Sequence, residues 1–212
     1  MRMFKRLGLI AITVSIMLGT AAGAASAGTA SAAAASHHPY SQVWLTGGQT
    51  SVTTAPGIAA ALLANGIVPL AALPGTEGAQ LGSNGVAVRF TFPVTGGSLN
   101  LAKLTGTINH QGGILFIDPA TGKQLAVSDF TISLGTRVLT AIVNGNPKAR
   151  VPLLTLSLAA AKIHAGRHSV QVSGIITRLT KTAASALDAT FGTSLFKPGL
   201  ELGTARTLLL FR

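Results

Sequence analysis

Cysteine is missing from all 212 residues, which removes disulfides, thiolate metal sites, thiol nucleophiles and lipid-bearing cysteines together. Acidic side chains are scarce as well: five Asp and Glu stand against 16 Lys and Arg, for a formal charge of +11. Asp118 precedes a proline in a turn, Asp188 falls on a helix surface, and Glu77 and Glu201 fall in glycine-rich loops. Asp129 is the one acid expected inside a strand, where an edge hydrogen bond is its expected role. No two carboxylates share a context suited to acid/base work on a sugar. There is no G-x-S-x-G elbow, so no enzyme is expected and no catalytic residue is assigned. Aromatic residues make up 5% of the chain and basic residues come singly, so neither the stacking platform nor the charged face of a nucleic-acid binder is present. No apolar run approaches the ~20 residues of a membrane-spanning helix, so no transmembrane segment is expected in the mature chain.

What is present begins with an export signal. Arg2, Lys5 and Arg6 precede the apolar run Leu7–Leu18, and small residues ending Ala25-Ser26-Ala27 supply an A-x-A cleavage site. Ala22-Gly23-Ala24 and Ala30-Ser31-Ala32 are competing sites. The expectation is a signal peptide over 1–27, a flexible Ala/Ser-rich leader over 28–42, and one domain over 43–212. The protein is expected to be secreted, extracellular or associated with the cell wall. Cleavage removes three of the positive charges. The cationic surface that remains serves solubility, or attraction to anionic cell-wall polymers.

Beyond residue 43 the pattern is of short strands. Val86, Val88, Phe90 and Phe92 alternate with Arg89 and Thr91, as in a half-buried strand. Pro93 to Gly97 reads as a turn, followed by strands near 98–101 and 104–110. Further strands are expected at 114–117, 138–143, 151–158, 170–179 and 208–211. Inward parity slips between Val127 and Phe130, which predicts a bulge at Ser128-Asp129. Two helices interrupt the series. One spans Pro56 to Asn65, with Thr54 as cap and Gly66 as stop; the other spans Thr182 to Phe191, between Thr180 and Gly192. The fold class is therefore all-β, a sandwich or open barrel of about ten short strands with two short α-helices.

Five histidines are the remaining candidates for a ligand site. His37 and His38 fall in the leader, and His164 and His168 fall in a polar turn interrupted by Gly166. No metal site is assigned to either pair. His110 shares parity with Ile108 and is followed by Gly112-Gly113. It reads either as a half-buried histidine hydrogen-bonded at a hairpin or as a ligand contact.

Three segments carry a resemblance: Phe92-Pro93-Val94-Thr95-Gly96-Gly97, Gly106-Thr107-Ile108-Asn109-His110-Gln111-Gly112-Gly113-Ile114 and Val127-Ser128-Asp129-Phe130. In order and spacing they resemble the haem-transport-associated (HtaA-like) domain of secreted and surface proteins of actinobacteria, over roughly Ser51 to Gly203. The resemblance implies haem as a cofactor or cargo and places His110 beside it. It also implies an iron-ligating tyrosine early in the domain, yet Ser51 to Ile67 contains none, and the only tyrosine, Tyr40, lies upstream in the leader. The first reading is a secreted, non-enzymatic HtaA-like binding module with an apolar site near His110. A haem-binding or haem-relay protein using His110, with Tyr40 folding back, is the alternative. A structural envelope protein adhering to anionic wall polymers is the third.

Overall fold

The computed structural model describes residues 42–82, 85–100 and 102–212. The expected signal peptide, His37-His38 and Tyr40 lie outside the described residues. The order of elements is β1 (Val43–Thr54), α1 (Ile58–Ala64), β2 (Val68–Ala72), β3 (Thr76–Gly82), β4 (Gly85–Asn100), β5 (Thr105–His110), β6 (Gly113–Asp118), β7 (Lys123–Ser133), β8 (Val138–Val143), β9 (Asn146–Ser157), β10 (Lys162–Ala165), β11 (Ser169–Leu179), α2 (Lys181–Phe191) and β12 (Glu201–Phe211).

Every pairing is antiparallel, and the ladder β7-β5-β4-β1-β12-β11-β9-β8 returns to β7. Eight strands thus close a barrel. The all-β class with two short helices stands as read, and closure is what distinguishes this sheet from a sandwich or an open barrel. Closure leaves none of the eight as a free edge. The other strands are additions: β6 and β2 extend from β7, β3 pairs with β4, and β10 pairs with β11.

Alternation along each barrel strand sends one face inward. In β12, Ala205, Thr207, Leu209 and Phe211 are buried while Thr204, Arg206 and Leu210 face out. One end of the barrel is filled by Val43, Leu45, Leu99, Ile108, Leu209 and Phe211, brought together by the pairings Val43↔Leu99 and Leu45↔Phe211. Burying each such large side chain contributes about 1.5–3 kcal/mol. The opposite end is where β1 and β11 finish, and there both helices cover the opening. Leu62 of α1 and Ala183, Leu187 and Phe191 of α2 are buried against it.

Local chemistry sets the helix limits. Thr180 caps α2 as expected, its Oγ1 accepting from Ala183 N at 3.2 Å, and Gly192 ends it in the left-handed conformation at φ 68°. α1 differs from expectation: it starts at Ile58 behind Gly57, with no side-chain cap. Thr54 is still in β1, and its Oγ1 accepts from Val88 N at 3.0 Å. The neighbouring strand has claimed the hydroxyl that a cap would need.

The stretch Pro93 to Gly97 is also not a turn. β4 runs through it, with a bulge between Val94 and Gly96. Gly97 has φ 124°, and a Cβ there would lie 2.1 Å from the Thr107 carbonyl oxygen. Glycine is needed for close strand approach rather than for chain reversal. Glu77 and Glu201 lie in strands rather than loops; Glu201 pairs with Arg178 at 2.9 Å. The bulge at Ser128-Asp129 is present, with Asp129 at φ 51°.

Candidate functional site

The barrel interior holds a polar layer between its filled end and its helix-covered end. Thr50 and Thr207 are direct cross-strand partners of β1 and β12, and both face inward. Their Oγ1 atoms are 2.7 Å apart, and Thr50 Oγ1 lies 2.8 Å from His110 Nε2. His110 is the last residue of β5. The β5–β7 ladder stops at Asn109↔Thr131, and the Phe130 carbonyl beyond it faces His110 Nδ1 at 3.3 Å. The bulge at Asp129 makes this possible, since it turns the chain of β7 just before Phe130.

The direction of these bonds follows from the chemistry. A carbonyl only accepts, so Nδ1 carries the proton and donates to Phe130 O. Nε2 then accepts from the Thr50 hydroxyl, and Thr50 accepts from Thr207. The result is a neutral imidazole with both nitrogens partnered. His110 is 5% exposed, and burial lowers its pKa from 6.5 to about 4, the Phe130 hydrogen bond opposing this only in part. Among the described residues no buried side-chain polar atom lacks a partner. The half-buried hairpin histidine expected from sequence is fully interior.

Above this layer opens a cavity of about 270 Å³ that reaches the two helices. Phe90, Phe92, Phe116, Phe130, Leu187 and Phe196 are among its walls, and Phe92 and Phe130 meet edge-to-face with ring centroids 4.8 Å apart. Among the described residues, the lining contains no Asp, Glu, Lys, Arg, Tyr, Cys or Met; its polar members are His110, Thr50, Thr54 and Thr177. Within that set His110 is the sole lining residue able to ligate a metal, and no cluster of three His, Cys, Asp or Glu among the described residues could hold one.

The set Thr50–His110–Phe130 carbonyl superficially parallels a nucleophile, base and orienting group. A neutral carbonyl stands where a triad places a carboxylate, and an imidazole with a pKa of about 4 is a weak base at neutral pH. What the arrangement can do is enclose an apolar molecule and present it with one neutral imidazole.

Sequence reading found His110 but missed Thr50, Thr207 and the contribution of α2. A signal existed for Thr207, which shares parity with Ala205, Leu209 and Phe211. His164 lies on strand β10, paired with Gln171, rather than in the expected turn; His168 lies in the turn beyond it, and both are exposed.

A family model described as Htaa matches residues 63–193. Among solved structures, the C-terminal domain of HtaA from Corynebacterium glutamicum is similar at 16% identity and a TM-score of 0.53, over 80% of this chain and 99% of that one. The heme binding protein HtaB from the same organism shows 14% identity and a TM-score of 0.43, over 81% of this chain and 97% of that one. No curated protein matches the chain significantly.

Proposed function

The chain belongs to the HtaA family, and from that premise we propose that it is a non-enzymatic binding module that takes a flat apolar ligand of haem type into the helix-covered end of its barrel. The observation that carries this reading is the cavity itself: apolar walls, two covering helices, and one neutral imidazole at its floor. Ligand sites are typically concave and apolar with few convergent polar groups, and this one has that composition. The export signal over Met1–Ala27 supports action outside the cytoplasm by a single domain over 43–212.

The residues fit a haem in part. The apolar walls suit the porphyrin faces; Nε2 of His110 carries no proton but accepts from Thr50, so it would meet iron only by giving up that hydrogen bond. Among the described residues, no tyrosine lines the cavity and no cation lines it to meet the propionates. At about 270 Å³ the space is at or below the ~300–1,000 Å³ usual for ligand pockets, so a porphyrin would protrude from it toward solvent. Bound haem supplies an iron Lewis acid and a redox couple. The protein's own part is to exclude water with Phe92, Phe130 and Leu187 and to hold the His110 proton on Nδ1.

Parallel titration of the full chain with haemin and with metal-free protoporphyrin IX tests this. Both are expected to bind saturably, and Leu187→Trp, which narrows the cavity, is expected to weaken both. His110→Ala should alter the Soret spectrum of bound haemin while leaving protoporphyrin binding within about threefold. Failure of both ligands to bind would sink the reading. Binding of haemin at least tenfold tighter than protoporphyrin, lost in His110→Ala, would establish iron ligation by His110.

A further inference from the structure

The outward residues of the same strands that form the polar layer build a second concavity. It is a groove of about 420 Å³ on the outside of the barrel, lined by Gln49, Ser51, Thr53, Arg89, Gln171 and Arg206, among others. We propose that this groove binds an anionic glycan, through its hydroxyl and amide side chains and the paired guanidinium groups of Arg89 and Arg206.

Alternation separates the two sites. Thr50 and Val52 point into the barrel, so Gln49, Ser51 and Thr53 point out of it. The register sets Arg206 opposite Ser51 on one side of β1 and Arg89 opposite Thr53 on the other. Two strand spacings across and two residues along place the arginine backbones about 12 Å apart on one face. The groove is shaped by β11, where the bulge between Val172 and Ile175 falls at Ser173 and Gly174, both in its wall.

The charge is uncompensated. Arg89 donates from Nε to Thr53 Oγ1 at 3.2 Å and from Nη2 to Gln80 Oε1 at 3.0 Å; Arg206 donates from Nη2 to Gln171 Oε1 at 2.6 Å. Among the described residues Nη1 of each has no acceptor. These hydrogen bonds to neutral acceptors orient the guanidinium groups without neutralising them.

All five carboxylates are engaged elsewhere. Asp118 accepts from Thr121 and Ala120, Asp129 from Ser128, Asp188 from Thr193 and Phe196, Glu77 from Ala71 N, and Glu201 pairs with Arg178. An oriented guanidinium with spare donors is suited to bidentate recognition of carboxylate or phosphate. Gln49, Ser51, Thr53, Gln171 and Thr204 both donate and accept, as the hydroxyls of a sugar require. Among the described residues no aromatic ring lines the groove on which a nucleic-acid base could stack, which favours an acidic sugar polymer over a single strand.

The test uses the full chain with three probes: oligogalacturonate, neutral dextran oligosaccharide and oligothymidylate, at ~0.15 M salt so that long-range attraction is screened beyond ~8 Å. Oligogalacturonate is expected to bind and dextran not. The pair Arg89→Gln/Arg206→Gln should weaken oligogalacturonate binding by about tenfold or more, the scale of lost hydrogen bonds to charged groups. Lys103→Gln/Lys148→Gln removes the same charge elsewhere and should change it less than about twofold. Arg89→Lys/Arg206→Lys, which keeps the charge and guards against misfolding, should still lose binding because a single ammonium replaces each fork. Equal loss in the Lys103/Lys148 pair, full binding by the lysine pair, or oligothymidylate binding as tight as oligogalacturonate would overturn the proposal. Haemin and protoporphyrin binding should be unchanged in the arginine variants, so the two sites fail or stand separately.

Discussion

His110 makes the stability of this protein depend on pH in a way that can be calculated. Its pKa is about 4 in the folded chain, against an ordinary value of 6.5 that unfolding restores. Between these values the unfolded chain binds a proton that the folded chain does not, so stability rises with pH across the window and is lost as pH falls through it. Each pH unit corresponds to about 1.4 kcal/mol, so the loss is about 2 kcal/mol at pH 5 and about 3 kcal/mol by pH 4. Against a total of ~5–15 kcal/mol for a typical domain this is large without being fatal. Asp118 does not contaminate the window. Its pKa is lowered by the hydrogen bond from the Thr121 hydroxyl, so its contribution is lost mainly at the acid end of the range and equally in both proteins compared. The assay is urea unfolding of wild type and His110→Gln from pH 7 to pH 4. Glutamine keeps an amide for Thr50 and Phe130 but cannot titrate. Wild type should lose about 2 kcal/mol more than His110→Gln between pH 7 and pH 5. Equal pH slopes for the two proteins would refute the buried neutral imidazole.

Three further outcomes follow from packing and capping. Gly97→Ala forces a Cβ to within 2.1 Å of the Thr107 carbonyl and should cost about 3 kcal/mol or more in urea unfolding, whereas Gly78→Ala, with open space around it, should fall within about 0.5 kcal/mol of wild type. Thr180→Ala removes the α2 cap and the 2.7 Å bond to Pro152 O, so a loss of about 1–2 kcal/mol is expected by thermal melting. Leu187→Ala enlarges the cavity from α2 and should destabilise by about 2–5 kcal/mol, measured by the same unfolding series as wild type.

The resemblance carried by residues 92–97, 106–114 and 127–130 identified the family, and the family model covers all three segments. Elements with strong local signals were legible too. Helix α2 could be read from Thr180, its apolar stripe and Gly192, because cap and stop are made within the segment itself. The bulge at Asp129 showed in the parity slip. The first half of β12 did not show, since Glu201-Leu202-Gly203-Thr204-Ala205 has little apolar alternation and is held in the sheet by pairing with β1 and β11.

The sequence by itself determined the strand-rich class, the α2 helix and the prominence of His110, all of which depend on residues close together in the chain. Tertiary structure decided the rest. Thr50 meets His110 across 60 residues and Thr207 across 157, contacts that no local pattern encodes. Closure of β8 onto β7 decided that the sheet is a barrel with an interior, because pairing between strands depends on register and twist rather than on composition. That interior is what turned a hairpin histidine into a buried, neutral one.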